Sequence, residues 1–332
     1  MKKLKIVSIS AEVHPYSKTG GLGDVARSLP KAFHRLGHEV IIITPFYAKV
    51  IDQGKFKLEK IFSNVKLNID AKNEESVSYL RAELLPGLKV YFIGNEKYFS
   101  RHKKLYGSEH ENARFYLFDI AALKLISLLK FKADIIHCHD WHSGLVPYLK
   151  QSRFKKSETL SKAATVYTIH NLVFQLGHNW WEVPEKYKDK GTKTLPLFGD
   201  KKIEYINFAK RGILNADVIN TVSETYAEEI LQPSFGQDLH RILRNRKENL
   251  FGIVNGIDYK DYNPINDPNL VLNYDHKKIQ RKKVNKERIQ KLFNLKIDQD
   301  APVLCTTSRV TYQKGFELIL STINNIMDMG AQ

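Results

Sequence analysis

Lys18 and Thr19 lead into Gly20-Gly21-Leu22-Gly23-Asp24, so a cation stands beside a glycine-rich turn that runs into a helical pattern. That arrangement suits an anion, because the first N–H groups of a helix lack acceptors and the helix dipole favours negative charge there. Gly21, Gly23 and Ala26 also fit the G-x-G-x-x-A dinucleotide pattern. Two features oppose a dehydrogenase: the stretch Ser10 to Gly20 separates the glycines from the preceding apolar run, and the next run ends in Thr44-Pro45-Phe46, without an acid to hold a ribose. An anion-binding turn remains, beside the plainer reading of a tight turn with a surface lysine.

Three further groups carry chemistry. His137, His139, Asp140, Trp141 and His142 close a strand-like run; alternation puts His137 and His139 on one face, where they offer metal ligands or pack as hydrogen-bonded core histidines. His170 and Asn171 follow another such run, Tyr167-Thr168-Ile169, and can present hydrogen bonds to a sugar. Ligands of parallel sheets lie at the carboxyl ends of strands, which places Asp140, Trp141 and His170 where a substrate would sit. Arg309 and Lys314, five positions apart before Gly315, can neutralise a diphosphate leaving group without a metal, or form solvated surface. Asp298-Gln299-Asp300 imitates a metal-binding D-x-D but precedes an apolar run, and reads as a loop.

The elements that must position these residues follow a βα alternation. Leu4 to Ser10 reads as a buried strand, Asp24 to Leu36 as a helix stopped by Gly37, and Val40 to Ile43 as a second, wholly apolar strand. Val65 to Ile69, Val77 to Leu84 and Val90 to Ile93 look like an antiparallel insertion. Helix 109–130, strand Ile135 to His139, a helix from about Ser143, strand Thr165 to Ile169, a helix near 203–214, strand Val218 to Val222 and a helix opened by Ser223 and Glu224 follow. The pattern is α/β, a doubly wound, Rossmann-like sheet. Residues 1–253 form this domain, the breaker-rich stretch 254–275 a linker, and 276–332 the incomplete start of a second Rossmann-like domain, with a charged helix at about 276–294, a strand over Pro302 to Thr307 and a helix over Phe316 to Met327.

At 332 residues the chain suits two domains, and 42% hydrophobic with 27% charged residues is ordinary for a folded protein. The net charge of +16 is spread along the chain in short runs such as Arg281-Lys282-Lys283. It favours a small anionic substrate over nucleic acid. Two cysteines, Cys138 and Cys305, exclude a disulfide framework and point to a reducing compartment. No apolar run reaches the ~18 residues of a membrane span, and the N-terminal run, interrupted by Lys5 and followed by Glu12, is too short for a signal peptide; a cytoplasmic location is expected.

Taken in order, Lys18-Thr19-Gly20-Gly21-Leu22, His139-Asp140-Trp141-His142, Ile169-His170-Asn171-Leu172, Thr221 to Tyr226, Val254-Asn255-Gly256-Ile257-Asp258 and Ser308-Arg309 through Gln313-Lys314-Gly315 resemble the bacterial glycogen synthase and plant starch synthase family, of the two-Rossmann-domain GT-B architecture. The resemblance implies a hexosyltransferase moving glucose from ADP-glucose to the non-reducing end of an α-1,4-glucan with retention, and no metal or organic cofactor. By motif, Lys18 and the Gly20-Gly21 backbone would contact the diphosphate, and Asp24 would lie near the nucleotide or cap its helix. Asp140, His170 and Asn171 would line the transferred glucose, and Tyr106 would face the donor pocket. Asn255 would support the site near the hinge, and Arg309 and Lys314 would stabilise the departing diphosphate. Trp180 and Trp181 would stack on glucan rings or belong to the core. Family members continue well past residue 332, so the expectation is a truncated or split chain that does not turn over by itself. The alternatives are a non-catalytic glucan-binding half that joins a separately encoded C-terminal half, and a UDP-glucose-dependent GT-B transferase.

Overall fold

The computed structural model describes residues 2–332. The chain divides into two compact units, one ending at Gly256 and the other spanning Ile257–Gln332.

The first unit is built on β1 (Lys5–Ile9), α1 (Gly21–Arg35), β2 (Glu39–Pro45), β3 (Glu59–Asn68), β4 (Glu74–Leu85), β5 (Leu88–Gly94), α2 (Glu111–Leu128), β6 (Ile135–His139), α3 (Leu145–Ser152), β7 (Ala164–Ile169), α4 (Phe208–Asn215), β8 (Val218–Thr221), α5 (Glu224–Glu229), α6 (His240–Asn245) and β9 (Leu250–Gly252). They form one nine-stranded sheet in the order β3-β4-β5-β2-β1-β6-β7-β8-β9. β1, β2 and β6 to β9 are parallel to their neighbours in this series, which is why Val40 to Ile43 and Ile136 to His139 are buried on both faces. The expected antiparallel insertion is only partly one. β3 and β4 pair antiparallel, but β5 pairs antiparallel with β4 and parallel with β2, extending the main sheet. Alternation reveals a strand, not its neighbour's direction. β9 and α6 lie in a stretch the sequence pattern leaves unassigned; β9 has too few residues to show a period.

From β1 the chain builds outward on one side through β2 and β5, then returns by α2 to start the other side at β6, directly beside β1. The loops leaving the carboxyl ends of β1 and β6 therefore diverge, opening the crevice where doubly wound sheets bind ligands. α2 covers this return and is buried almost all round, carrying Phe115, Phe118, Ile120 and Leu123 into the core. A helix apolar on every side is stable only when so enclosed.

The second unit contains α7 (Lys282–Leu292) and α8 (Phe316–Asp328). The amides of Val271 and Leu272 donate to Asn285 on α7, at 2.9 and 3.2 Å, so the segment before that helix is fastened to it. The strand expected over Pro302 to Thr307 is not formed. The backbone there exchanges hydrogen bonds only with the chain end, Leu304 N–H to Gln332 and Gln332 N–H to Pro302, both 2.8 Å, and no strand pairs in this unit among the described residues. A strand exists through its ladder, and an apolar run without partners cannot make one. Asp298 turns the preceding loop by accepting from the Asp300 and Ala301 amides, in keeping with a loop reading of the D-x-D look-alike.

Candidate active site

The loop after β1 is organised by Glu12, which is only 2% exposed. Its Oε2 accepts from the amides of Thr19 (2.7 Å) and Gly20 (3.3 Å), and its Oε1 accepts from the hydroxyls of Thr19 (2.5 Å) and Tyr106 (2.7 Å). α1 then starts with Gly20 as its N-cap and no side-chain cap. A Cβ added at Gly20 or Gly21 would meet nothing within 4 Å, so there is open space beside both glycines. Gly23 is different: a Cβ there would lie 3.2 Å from Lys18 Cβ and Cγ and 3.3 Å from Glu12 Oε2. Lys18 Nζ contacts both Asp24 oxygens, at 2.8 and 2.6 Å. Asp24 thus holds Lys18 across the mouth of the helix and does not cap it. Gly20 spends its amide on Glu12, so of the two glycines expected to face an anion Gly21 has the better-placed N–H.

At the carboxyl end of β6 the backbone of Asp140 takes φ +56° and ψ −178°. Its Oδ1 accepts from the amides of His170 (2.8 Å) and Asn171 (3.3 Å), tying the loop after β6 to the loop after β7. Burial pushes the Asp140 carboxyl up, while His170 and these two amides draw it down. Asn171 turns its own loop, accepting from the Val173 amide at 3.1 Å.

Behind them lies a chain of histidines. His139 Nε2 is 3.3 Å from Ser8 Oγ, and His139 Nδ1 is 3.1 Å from His170 Nε2. His137 Nε2 is 2.6 Å from Thr168 Oγ1, whose hydrogen goes to Asn220 Oδ1 at 2.6 Å, so His137 Nε2 carries the proton. His142 lies against Trp141 and Tyr106, with ring separations of 4.2 and 4.8 Å and ring planes tilted by 30° and 31°. Burial lowers all four imidazoles, His137 to about 3, which keeps them neutral near pH 7. His139 spends both ring nitrogens on Ser8 and His170, and His137 Nε2 is spent on Thr168, whereas the buried Nδ1 of His142 has no hydrogen-bond partner. Among the described residues no three His, Cys, Asp or Glu side chains form a group that could hold a metal ion.

Lys18, Gly20, Gly21 and Asp24 belong to the loop and helix start that Glu12 ties to Tyr106; Tyr106 lies against His142, two residues on from the Asp140 that holds the His170 and Asn171 amides. Asn255 is exposed beyond β9. Arg309 and Lys314 are exposed residues of the second unit, Lys314 in a single 3₁₀ turn ended by Gly315 at φ +67°. Trp180 is core, 1% exposed with Nε1 donating to Asp238, whereas Trp181 is 58% exposed. Sequence reasoning missed Glu12, Ser8, Thr168 and Asn220. The first carried a signal, an acid just after a buried strand, which served only as an argument against a leader peptide.

The fold is that of GT-B glycosyltransferases. The catalytic domain of starch synthase IV from Arabidopsis thaliana, solved bound to ADP and acarbose, is similar with a TM-score of 0.86 and 31% identity, over 100% of this chain and 68% of that one. Sucrose-phosphate synthase from Thermosynechococcus elongatus, at a TM-score of 0.54 and 17% identity over 98% of this chain and 60% of that one, shares the fold. Residues 5–245 match the starch synthase catalytic domain model, and the chain belongs to that family. It is 37% identical to the glycogen synthase of Moorella thermoacetica over 100% of this chain, and 35% identical to that of Anoxybacillus flavithermus over 98% of it. The chain spans 66% of the length of either relative.

Proposed function

We propose that this chain serves a glycogen or starch synthase, transferring glucose from ADP-glucose to the non-reducing end of an α-1,4-glucan with retention. The observation that carries this reading is the meeting, at the β1/β6 switch point, of an open helix N-terminus flanked by Lys18 with the Asp140 and His170 rim. An anionic diphosphate suits the first and a neutral polyhydroxyl ring the second.

In this reading Lys18 and the Gly21 amide, with Gly20 shaping the turn, bind the diphosphate, and Asp24 holds Lys18 ready. Asp140, His170 and Asn171 line the glucose, and Tyr106 borders it. As the bond from the anomeric carbon to the diphosphate breaks, negative charge grows on the leaving oxygen; Lys18, Arg309 and Lys314 are the cations assigned to it, an electrostatic contribution worth about 10²–10³ in rate per group in comparable sites. Asn255 has a supporting role. No metal and no organic cofactor is assigned, and the setting is the cytoplasm; no helix among the described residues is long and apolar enough to cross a membrane. Where residues 1–332 act without a covalent continuation, a separately encoded C-terminal half is the partner this reading requires.

The test is incorporation of labelled glucose into glycogen from ADP-glucose and from UDP-glucose, with and without such a half. Transfer from ADP-glucose, lost in Lys18→Ala and Arg309→Ala, is expected. Transfer only from UDP-glucose would overturn the donor assignment, and glycogen retention in a native gel without any transfer would make the chain a glucan-binding module.

A further inference from the structure

We propose that Glu12 is a positioning residue of the transfer site, which binds the phosphate-facing turn and Tyr106 into one rigid piece; this rests on the glycosyltransferase reading above. A single buried carboxylate takes both Thr19 donors, the Gly20 amide and the Tyr106 hydroxyl. Loop 10–20 and Tyr106 come from distant parts of the chain, and Glu12 provides a direct hydrogen-bonded link between them. Two consequences follow for a bound donor. With its hydrogen committed to Glu12, the Tyr106 hydroxyl can only accept from a ligand, which suits a sugar hydroxyl and not a phosphate oxygen. With Thr19 and Gly20 turned inward, the remaining open amides of α1 are set in direction before the diphosphate arrives. Gly23 belongs to the same device, since its missing Cβ leaves Glu12 Oε2 and the Lys18 stem within 3.3 and 3.2 Å of that point.

Glu12→Gln preserves volume but offers one uncharged acceptor oxygen. With that oxygen on the Thr19 and Gly20 amides, its NH2 faces the Thr19 and Tyr106 hydroxyls, which must turn round to accept, so the charge behind every bond of the tie and the direction of the Tyr106 bond are lost. Three measurements test the role: kcat and donor KM, amide hydrogen exchange at Thr19 and Gly20, and a double-mutant cycle with Tyr106→Phe. The expected result is a fall of about tenfold or more in kcat/KM, most of it in donor KM, with exchange at Thr19 accelerated about tenfold, the scale set by loss of one hydrogen bond to a charged group. The double variant should be no worse than the worse single one. Wild-type kinetics in Glu12→Gln, strictly additive losses, or unchanged exchange would overturn the proposal. If Glu12→Gln fails to fold, Tyr106→Phe, which keeps the carboxylate, must still accelerate exchange at Thr19. Should the wild-type protein transfer no glucose, the function reading fails while the exchange arm still decides the role of Glu12.

Discussion

Asp140 separates strain from tethering in one set of variants. Its φ of +56° with ψ of −178° is a conformation that residues with a Cβ avoid, at a cost of about 1–3 kcal/mol. The backbone is kept there because the Asp140 amide donates to Thr168 O (2.9 Å), its carbonyl accepts from the Ser143 amide (3.2 Å), and Oδ1 accepts from His170 and Asn171. Hydrogen bonds to a charged group contribute about 1.5–3 kcal/mol each. Asp140→Ala loses both and retains the strain. Asp140→Gly loses the same two and sheds the strain, less about 0.4–1 kcal/mol for its freer unfolded chain. The glycine variant should therefore be the more stable by about 1 kcal/mol, the reverse of the usual order. Asp140→Asn keeps Oδ1 as an acceptor and carries the same backbone strain as aspartate, so its stability should stay nearest to wild type while glucose transfer drops about 10²-fold. Urea unfolding followed by circular dichroism ranks the three. Alanine as stable as glycine would refute the strain, and asparagine as unstable as alanine would refute the tether.

Gly144 faces the backbone of Phe208, where an added Cβ would come within 2.3 Å of the carbonyl oxygen. Gly144→Ala should therefore force α3 and α4 apart and cost about 3 kcal/mol or more in thermal unfolding, at the upper end for single substitutions. Asp189 accepts from Arg211 Nε and Nη2, both at 2.8 Å, with both side chains almost fully buried; Asp189→Ala strands a buried guanidinium and should lose about 3–5 kcal/mol in urea unfolding. Burial lowers His137 to about 3, below the unfolded value of about 6.5, so the unfolded chain binds the extra proton and the stability present above pH 6.5 declines as pH falls toward 3. His137→Gln should flatten that decline by up to about 1.4 kcal/mol per pH unit. Asp119 and Asp140, raised by burial, act in the opposite direction in both proteins and cancel from the difference. Equal slopes would refute the buried neutral histidine.

Local pattern suffices for much of this molecule. The unbroken apolar run Val40 to Ile43, and the run Ile135 to Cys138 interrupted by His137, are strands of the parallel sheet, and Gly37, at φ +90°, ends its helix as a residue without Cβ can. The sequence alone also puts Asp140 and His170 just past strands and Lys18 just before a helix, because loop residues between elements are legible from the βα alternation. Pairing is a non-local matter. Only the tertiary structure decides that β5 joins the parallel sheet, that Pro302 to Thr307 has no ladder, and that β6 returns to the side of β1. It likewise brings Tyr106 to Glu12 and Ser8 to His139, contacts that no spacing along the chain encodes. The physical reason is that secondary structure follows the period of nearby residues, while a buried carboxylate or imidazole takes its partners from whichever elements the sheet order sets beside it.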